Sequence, residues 1–375
     1  MTLVFGDAPR RVYWELTLAC DLSCRHCRAS ALPCRDTREL TTDEAFRVLD
    51  DLATSPALPH VILTGGDPLK RPDFFSIVAH TVSLGLPCLV APSATPLLTG
   101  ETIGALRVSG VEAMSLSLDG SNPERHDNFR GVPGTFARTL TAAREIIDSG
   151  ISLQVNTLVT NETREDLPAI HRLVQEIGAH RWSLFFLITM GRGRTLGQIT
   201  PAESETVLNW ALDHAGDARP IVTTTEAPHY RRIALTRQRA GAGHSPKADV
   251  IRRGLGMRDG NGVMFISHTG EVQPSGFLPL TAGNARTANP LQIYRESPIF
   301  QSLRRPDQFA GPCGRCEFRA VCGGSRARAY AATGNALGSD PLCSYEPGSS
   351  VWESADTSRF AMVAGREIRN EVNPR

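Results

Sequence analysis

The sequence has no surplus of charge. Its 375 residues carry 40 Lys and Arg against 39 Asp and Glu, a formal net charge of +1. That balance argues against a general nucleic-acid binder and against a polybasic membrane-surface protein. There is no apolar run near the ~20 residues that a spanning helix needs. The start, Met1 to Asp7, has neither a basic stretch nor an apolar core, so no secretory signal is expected. Internal repeats and low-complexity tracts are also missing. What remains is an ordinary globular composition, 41% hydrophobic and 21% charged, at a length that suits one large or two modest domains. The expected compartment is the cytoplasm, with no nucleic-acid or membrane partner.

In that compartment thiols stay reduced, so nine cysteines need an explanation other than disulfides. Cys88 lies in an apolar run and reads as a small core residue. Cys34 stands apart in a polar loop. The other seven form two groups: Cys20, Cys24 and Cys27, then Cys313, Cys316, Cys322 and Cys343. Such spacings point to metal or iron–sulfur ligation. Four thiols would also close a structural zinc site, so zinc stays open for the second group. The first group has only three, with His26 or Cys34 as conceivable fourth ligands. A three-thiolate set with an open corner suits a cluster that binds substrate or cofactor directly.

Along the first half, strand and helix patterns alternate. Strands are expected at Val12–Leu18, His60–Leu63, Pro87–Ala91, Ala113–Leu118, Ser152–Val159 and Trp182–Ile188. Between them run helices from the capping box Thr41–Glu44 to about Ala53, from Asp73 through Leu84, and from about Thr99 to Arg107. Two more follow, Thr135–Asp148 and Glu165–Ile177. Six such units form either a doubly wound sheet or an incomplete barrel, and periodicity does not separate these. In both, ligands bind at the carboxyl ends of the strands. The cysteine loop, Gly65-Gly66, Ser93 and Asp119-Gly120 all fall there. From Thr200 a capped helix runs to about His214, and residues 239–248 read as a flexible linker. A hairpin is expected around His268 and Thr269.

Cys20-x3-Cys24-x2-Cys27 after a first strand resembles the signature of the radical S-adenosylmethionine (radical SAM) enzymes. Gly65-Gly66-Asp67-Pro68 resembles that superfamily's Gly-Gly-Glu-Pro turn, with Asp for Glu. Ser117-Leu118-Asp119-Gly120 resembles its fourth-strand segment, and His126 to Gly131 a segment whose arginine approaches the methionyl carboxylate. The resemblance implies a partial (β/α)6 barrel and a 4Fe-4S cluster on the three thiolates, with one iron left for S-adenosylmethionine. A radical formed from that cofactor would then take a hydrogen atom from the substrate. Cofactor contacts are expected from Gly65, Gly66, Asp67, Ser93, Ser117, Asp119, Arg130 and Asn156. Cys313-x2-Cys316-x5-Cys322 with Cys343 resembles the end of the iron–sulfur extension called SPASM. Ser275 and Arg326 stand where ligands of its other cluster would be, so one auxiliary 4Fe-4S cluster is implied.

Among such enzymes the chain leans toward the haem d1 and alternative haem b biosynthesis proteins, whose substrates are tetrapyrrole propionates. It shows Met190-Gly191-Arg192-Gly193 after the sixth strand and Pro-Ser-Gly-Phe-Leu-Pro at 274–279. A carboxylate-bearing small molecule is thus preferred over a peptide, and no peptide-docking segment is expected before Val12. The reductant implied is a flavodoxin or ferredoxin. The rival outside this class is a non-catalytic iron–sulfur carrier or a zinc-stabilised binding protein. Arg192, His229 and Tyr230 are the expected catalytic side chains, with Arg231 and Arg232 candidates for substrate carboxylates. The expected division is a radical SAM core at 8–200, a bridging helix and linker at 201–248, a SPASM-like domain at 249–347 and a flexible tail at 348–375.

Overall fold

Seven apolar runs become parallel strands in the computed structural model, which describes residues 5–215, 219–239 and 254–348. They are β1 (Arg11–Glu15), β2 (His60–Thr64), β3 (Cys88–Val90), β4 (Ala113–Ser117), β5 (Ser152–Val159), β6 (Arg181–Phe186) and β7 (Ile221–Thr225). They lie side by side in chain order, each parallel to the next. A doubly wound sheet needs a reversal of that order and helices on both faces. No reversal occurs from β1 to β7, so right-handed crossovers stack the helices on one face, as in a partial barrel.

The crossovers are α1 (Thr42–Ala53), α2 (Phe74–Ser83), α3 (Gly100–Val108), α4 (Pro123–Arg130), α5 (Thr135–Asp148), α6 (Leu167–Ile177) and α7 (Pro201–Asp213), with α8 (His229–Arg239) after β7. Helix α1 starts where its capping box sets it: Glu44 N–H donates to Thr41 Oγ1 at 3.3 Å and Thr41 N–H to Glu44 Oε2 at 2.9 Å. The same box, Thr200 with Glu203, opens α7. Strand β7 and helix α4 lie where no element was expected, and α8 where a solvated helix start was the alternative to a substrate-facing loop. Their sequences are short or polar, and neighbouring strands and helices supply the burial that periodicity lacks. Of the expected linker only Arg239 falls within the described residues, and of the expected tail only Gly348.

The strand faces differ sharply. Val12, Trp14, Leu63, Val155, Trp182 and Leu184 belong to one continuous apolar core with the crossover helices. Each such side chain contributes about 1.5–3 kcal/mol by burial. The alternate positions face the barrel interior, where Ser117, Asn156, Ser183 and Thr223 stand in one row across β4 to β7.

The sheet does not end at β1. The expected hairpin is present as β9 (Gly262–Ile266) and β10 (Glu271–Gln273), and β9 pairs in parallel with β1 on the edge away from β2. Strands β8 (Arg258–Asp259) and β11 (Gly283–Asn284) flank it. The cysteine-rich segment is therefore carried by the same sheet as the first thiols.

Arg71 ties the start of the site to this frame. Its buried guanidinium donates to Leu16 O at 3.1 Å and Leu40 O at 2.7 Å, and pairs with Asp73 at 2.7 Å. Arg71→Ala leaves two buried carbonyls unpartnered and should cost about 3 kcal/mol. The midpoint of chemical unfolding checks this; an unchanged midpoint means that the carbonyls find other donors.

Candidate active site

After β1 and β2 the two chains go on bonding. Leu16 N–H donates to Thr64 O at 2.8 Å, Gly66 N–H to Thr17 O at 2.8 Å, and Asp67 N–H to Ala19 O at 2.7 Å. This ladder delivers Cys20 beside the Gly65-Gly66 turn. A Cβ on Gly66 would sit 2.5 Å from Ala19 O and 2.6 Å from Leu18 O, and one on Gly65 2.5 Å from Thr17 O. The two glycines are thus required by the protein's own backbone, not only by close approach of a cofactor as expected. Asp67 is likewise more than a turn residue. It is fully buried, with Oδ2 accepting from Thr95 Oγ1 at 2.7 Å and Oδ1 from Leu69 N–H at 3.2 Å. Ser93 donates to Gly66 O at 2.9 Å, and its hydroxyl lies 3.6 Å from Cys20 Sγ.

Cys20, Cys24 and Cys27 share a small apolar nest with Leu22, Ala31 and Val132. Arg130, at the end of α4, reaches Cys24 Sγ at 3.6 Å and forms a buried ion pair with Asp119 after β4. Burial opposes the Arg130 cation, but the Asp119 and Cys24 charges override it and hold its pKa up. Burial would likewise push Asp119 up; Arg130 reverses that and keeps the carboxyl below its usual range. Asp119 Oδ1 also accepts from Leu158 N–H at 2.7 Å, locking β4 to β5. His26 stacks on Phe129, ring centroids 5.0 Å apart, and burial with nearby Arg130 lowers its pKa to about 4. It is a neutral packing ring. Arg192 clamps the thiol loop by its backbone, donating to Cys24 O at 2.9 Å and Ala31 O at 3.1 Å. It positions the loop, a different task from the expected catalytic one.

A cavity of about 220 Å³ opens next to this loop, lined by Glu15, Arg28, Met190, Phe265, His268 and Gln273 among others. Arg28 pairs with Glu15 at 2.5 Å and lies over the Phe265 ring at 4.7 Å. His268 Nδ1 is 2.8 Å from the other Glu15 oxygen. Burial works against the His268 cation, but its bonds to Glu15 and Asp36 win and raise its pKa. Sequence reasoning missed Glu15 and Arg28. A glutamate inside the apolar run Tyr13-Trp14-Glu15-Leu16 was the available signal, since a buried carboxylate needs partners.

The second thiol group converges too. Cys322 is buried, and its thiol is pushed up by burial and by the would-be charges of Cys343, Cys313 and Cys316. Four thiols so placed cannot all ionise unless a cationic group binds them. Asp340 N–H donates to Cys313 Sγ at 3.4 Å, and Gly324 N–H to Cys322 Sγ at 3.5 Å. Among the described residues, no three His, Cys, Asp or Glu side chains are disposed to hold a single metal ion.

His229 and Tyr230 are not brought to either thiol group as reacting side chains. His229 is fully buried in α8, with Nε2 2.9 Å from Ser204 Oγ and its ring packed on Phe186. Tyr230 is buried, its hydroxyl has no protein partner, and burial pushes the phenol well up. They are core residues because β7 turns their segment inward as a helix. Arg232, expected at a substrate carboxylate, pairs with Glu205, and Arg231 donates to Met257 O at 2.8 Å.

Two outcomes follow from this geometry. Gly66→Val should displace the Leu18 and Ala19 carbonyls, so iron content should fall by about half together with cofactor affinity. Iron analysis after anaerobic reconstitution checks this; full iron with weakened cofactor binding would confine the turn to the cofactor. The second outcome concerns His229, whose pKa burial lowers to about 3. Below about pH 6.5 the unfolded chain takes a proton that the folded chain refuses, so stability falls as pH drops toward 3. His229→Gln keeps a partner for Ser204 and removes this titration. Its unfolding midpoint should therefore decline less than wild type between about pH 6.5 and 4.

Comparison with known proteins agrees with this architecture. The Radical SAM superfamily model matches residues 14–174. The chain is 41% identical to the AdoMet-dependent heme synthase of Methanosarcina barkeri, over 92% of this chain and 99% of that one. It is 27% identical to the pre-heme d1 synthase of Dinoroseobacter shibae, over 97% and 93% of the two chains. The fold is shared with Streptococcus suis SuiB bound to precursor peptide SuiA, at a TM-score of 0.71 and 17% identity, covering 90% of this chain and 76% of that one. Near-complete coverage at 41% identity, with the thiol triplet at the carboxyl ends of a partial barrel, makes this chain a member of the radical SAM superfamily of enzymes.

Proposed function

We propose that this enzyme oxidises a carboxylate-bearing tetrapyrrole by hydrogen abstraction, late in haem formation. The carrying observation is the 41% identity, over almost the full length of both chains, to a protein named AdoMet-dependent heme synthase. Cys20, Cys24 and Cys27 are the ligands of the first 4Fe-4S centre, and Gly65, Gly66, Asp67, Ser93, Ser117, Asp119, Arg130 and Asn156 frame the cofactor. When bound, that centre and S-adenosylmethionine supply the hydrogen-abstracting radical. The chain's own residues hold and shield. Arg192 fixes the thiol loop, and the Asp119–Arg130 pair presents a guanidinium beside Cys24. Arg28, over Phe265 at the cavity, is placed to meet one substrate carboxylate in competition with Glu15. The cavity is below the ~300 Å³ of a drug-sized site. It suits one side chain of a macrocycle better than the whole ring.

Cys313, Cys316, Cys322 and Cys343 are assigned to one auxiliary 4Fe-4S centre with complete thiolate ligation. The fit is supported by orphaned donors around them. Arg326 Nη2 and Arg258 Nε are buried and find no hydrogen-bond partner among the described residues. A bound anionic centre is what such cations lack. Residues 8–200 then carry the ligands of the first centre and 249–347 those of the second, with a hairpin that also walls the cavity beside the first. The chemistry needs both: loss of a hydrogen atom β to a carboxylate, then loss of carbon dioxide, leaves one electron to remove. A flavodoxin or ferredoxin would feed the first centre.

The peptide reading is the alternative: the chain is 28% identical to the PqqA peptide cyclase of Gluconobacter oxydans over 92% of its length, well below the 41% to the heme synthase. No helix among the described residues is long and apolar enough to cross a membrane.

Anaerobically reconstituted protein should carry about eight irons, the content of two 4Fe-4S clusters. The triple variant Cys20→Ala, Cys24→Ala, Cys27→Ala should lose about half of them and release no 5′-deoxyadenosine under dithionite. With a propionate-bearing iron porphyrin, wild type should yield product lighter by carbon dioxide and two hydrogens, read by mass spectrometry. Cofactor cleavage by the triple variant would refute the ligand assignment. Cleavage by wild type without porphyrin turnover would refute the substrate class.

A further inference from the structure

The segment that follows Cys322 is built to admit cations. Gly323 and Gly324 both take left-handed backbone, with φ of 74° and 66°. A Cβ on Gly324 would lie 2.7 Å from Arg326 Nη2 and 3.0 Å from Cys313 Sγ. Only the missing side chain separates guanidinium from thiol. A Cβ on Gly323 would lie 3.1 Å from Arg258 Cδ and 3.2 Å from Arg258 Nε. Arg326 Nη2 and Arg258 Nε, both buried without a hydrogen-bond partner among the described residues, approach these glycines.

Neither arginine is neutralised. Arg326 is fully buried and donates only to the carbonyls of Gly324, Ala336 and Gly338, with its face over Phe309 at 4.3 Å. Arg258, also buried, donates to Gly256 O and Leu303 O. Among the described residues neither has a carboxylate partner. Arg231, third in the group, donates a hydrogen bond to Met257 O. Burial and repulsion from Arg326 and Arg231 lower the Arg258 pKa to about 9, which still leaves a cation at neutral pH.

The carboxyls nearby are engaged elsewhere. Asp340 pairs with Arg328 at 3.2 Å. Asp259 accepts from Ala327 N–H at 3.0 Å, and burial with the Asp259 charge raises the Glu226 pKa. Glu317 accepts from the Tyr345 hydroxyl.

The first thiol group is set differently. Arg130 is matched by Asp119, Arg28 by Glu15 and Lys70 by Asp21. Among the described residues Arg192 lacks a carboxylate there and its Nη2 is likewise buried without a hydrogen bond, but buried Asp67 opposes it near Cys20.

We propose that Arg258 and Arg326, with Arg231 behind them, form a cationic collar. It raises the reduction potential of the centre on Cys313, Cys316, Cys322 and Cys343 above that of the first centre. The inference rests on the auxiliary-centre assignment made under the proposed function. Its physical basis is charge. A centre held by four thiolates is anionic and becomes more so on reduction, so a fixed buried cation stabilises the reduced form more. The collar thereby assigns direction. The electron left on the substrate radical after hydrogen abstraction passes to the C-terminal centre, which is reduced by one electron as the substrate is oxidised by one. No other oxidant is needed in that step.

A redox titration of the reconstituted enzyme, with each centre followed by electron paramagnetic resonance, tests this without turnover. In wild type the C-terminal centre should show the higher midpoint. Arg326→Met and Arg258→Met should each make its reduction about 10- to 100-fold less favourable, about 60–120 mV lower for one electron. The first centre should stay unmoved, and Arg326→Lys should restore most of the shift by keeping the charge. Variants with full iron and an unmoved midpoint would overturn the collar. So would a wild-type C-terminal midpoint below the first, a result that stands even where the methionine variants fail to fold. Wild-type protein with only about four irons would refute the auxiliary-centre assignment itself, and the collar with it.

Discussion

Past the ends of β1 and β2, residues 16–19 and 64–67 continue to exchange backbone hydrogen bonds. The chains run so close there that neither Gly65 nor Gly66 can carry a side chain without meeting carbonyl oxygen. Much of the site hangs on this contact. It sets where the thiol loop leaves the sheet, turns Asp67 into the interior, and brings Ser93 from the next strand end onto Gly66 O. Arg71 secures the same segment from below by taking Leu16 O. The glycine turn is thus first a device for joining two strand ends, and any contact it makes to a cofactor is built on that join.

Charge is handled in two ways in the interior. Around the first thiols, cations mostly have matched anions, as with Arg130 and Asp119 or Arg28 and Glu15. Around the second thiols, Arg258 and Arg326 have only carbonyls and an aromatic face. Leaving a buried guanidinium without an anion is costly unless something anionic completes the set. Cys316, Cys322 and Cys343, whose thiols burial pushes up, lie with Cys313 as the natural complement. The two deficits cancel when an iron–sulfur centre sits between them. That mutual need argues for the pairing more strongly than cysteine spacing does.

The shared sheet explains why both groups belong to one enzyme. Strand β9 extends the barrel sheet from the outer edge of β1, so the hairpin that leads toward the second thiols also walls the cavity beside the first. His268, at the turn of that hairpin, bonds Glu15 on β1. This contact helps to raise the His268 pKa against burial, while the Arg28 charge, with His268 second, lowers that of Glu15 against burial.

The cysteine spacings, the Gly-Gly turn, the capping boxes at Thr41 and Thr200 and most of the strand–helix alternation were legible in the sequence. Each is a local pattern: a turn needs glycine, a cap needs an oxygen, and a ligand set needs thiols at short intervals. Barrel against doubly wound sheet was not legible, because strand order is a long-range property that no local period encodes. Nor was the inward turn of 226–232, where β7 and α8 bury His229 and Tyr230 that read from sequence as reactive side chains on a loop or as the start of a solvated helix. From sequence, Arg326 reads only as standing where a ligand of a further cluster would be, and Arg258 is not singled out at all. Only the tertiary structure brings residues 68 positions apart onto two adjacent glycines, and only there does the absence of a carboxylate partner become visible. Local chemistry was written in the chain; which charges meet, and which are left unmatched, was decided by packing.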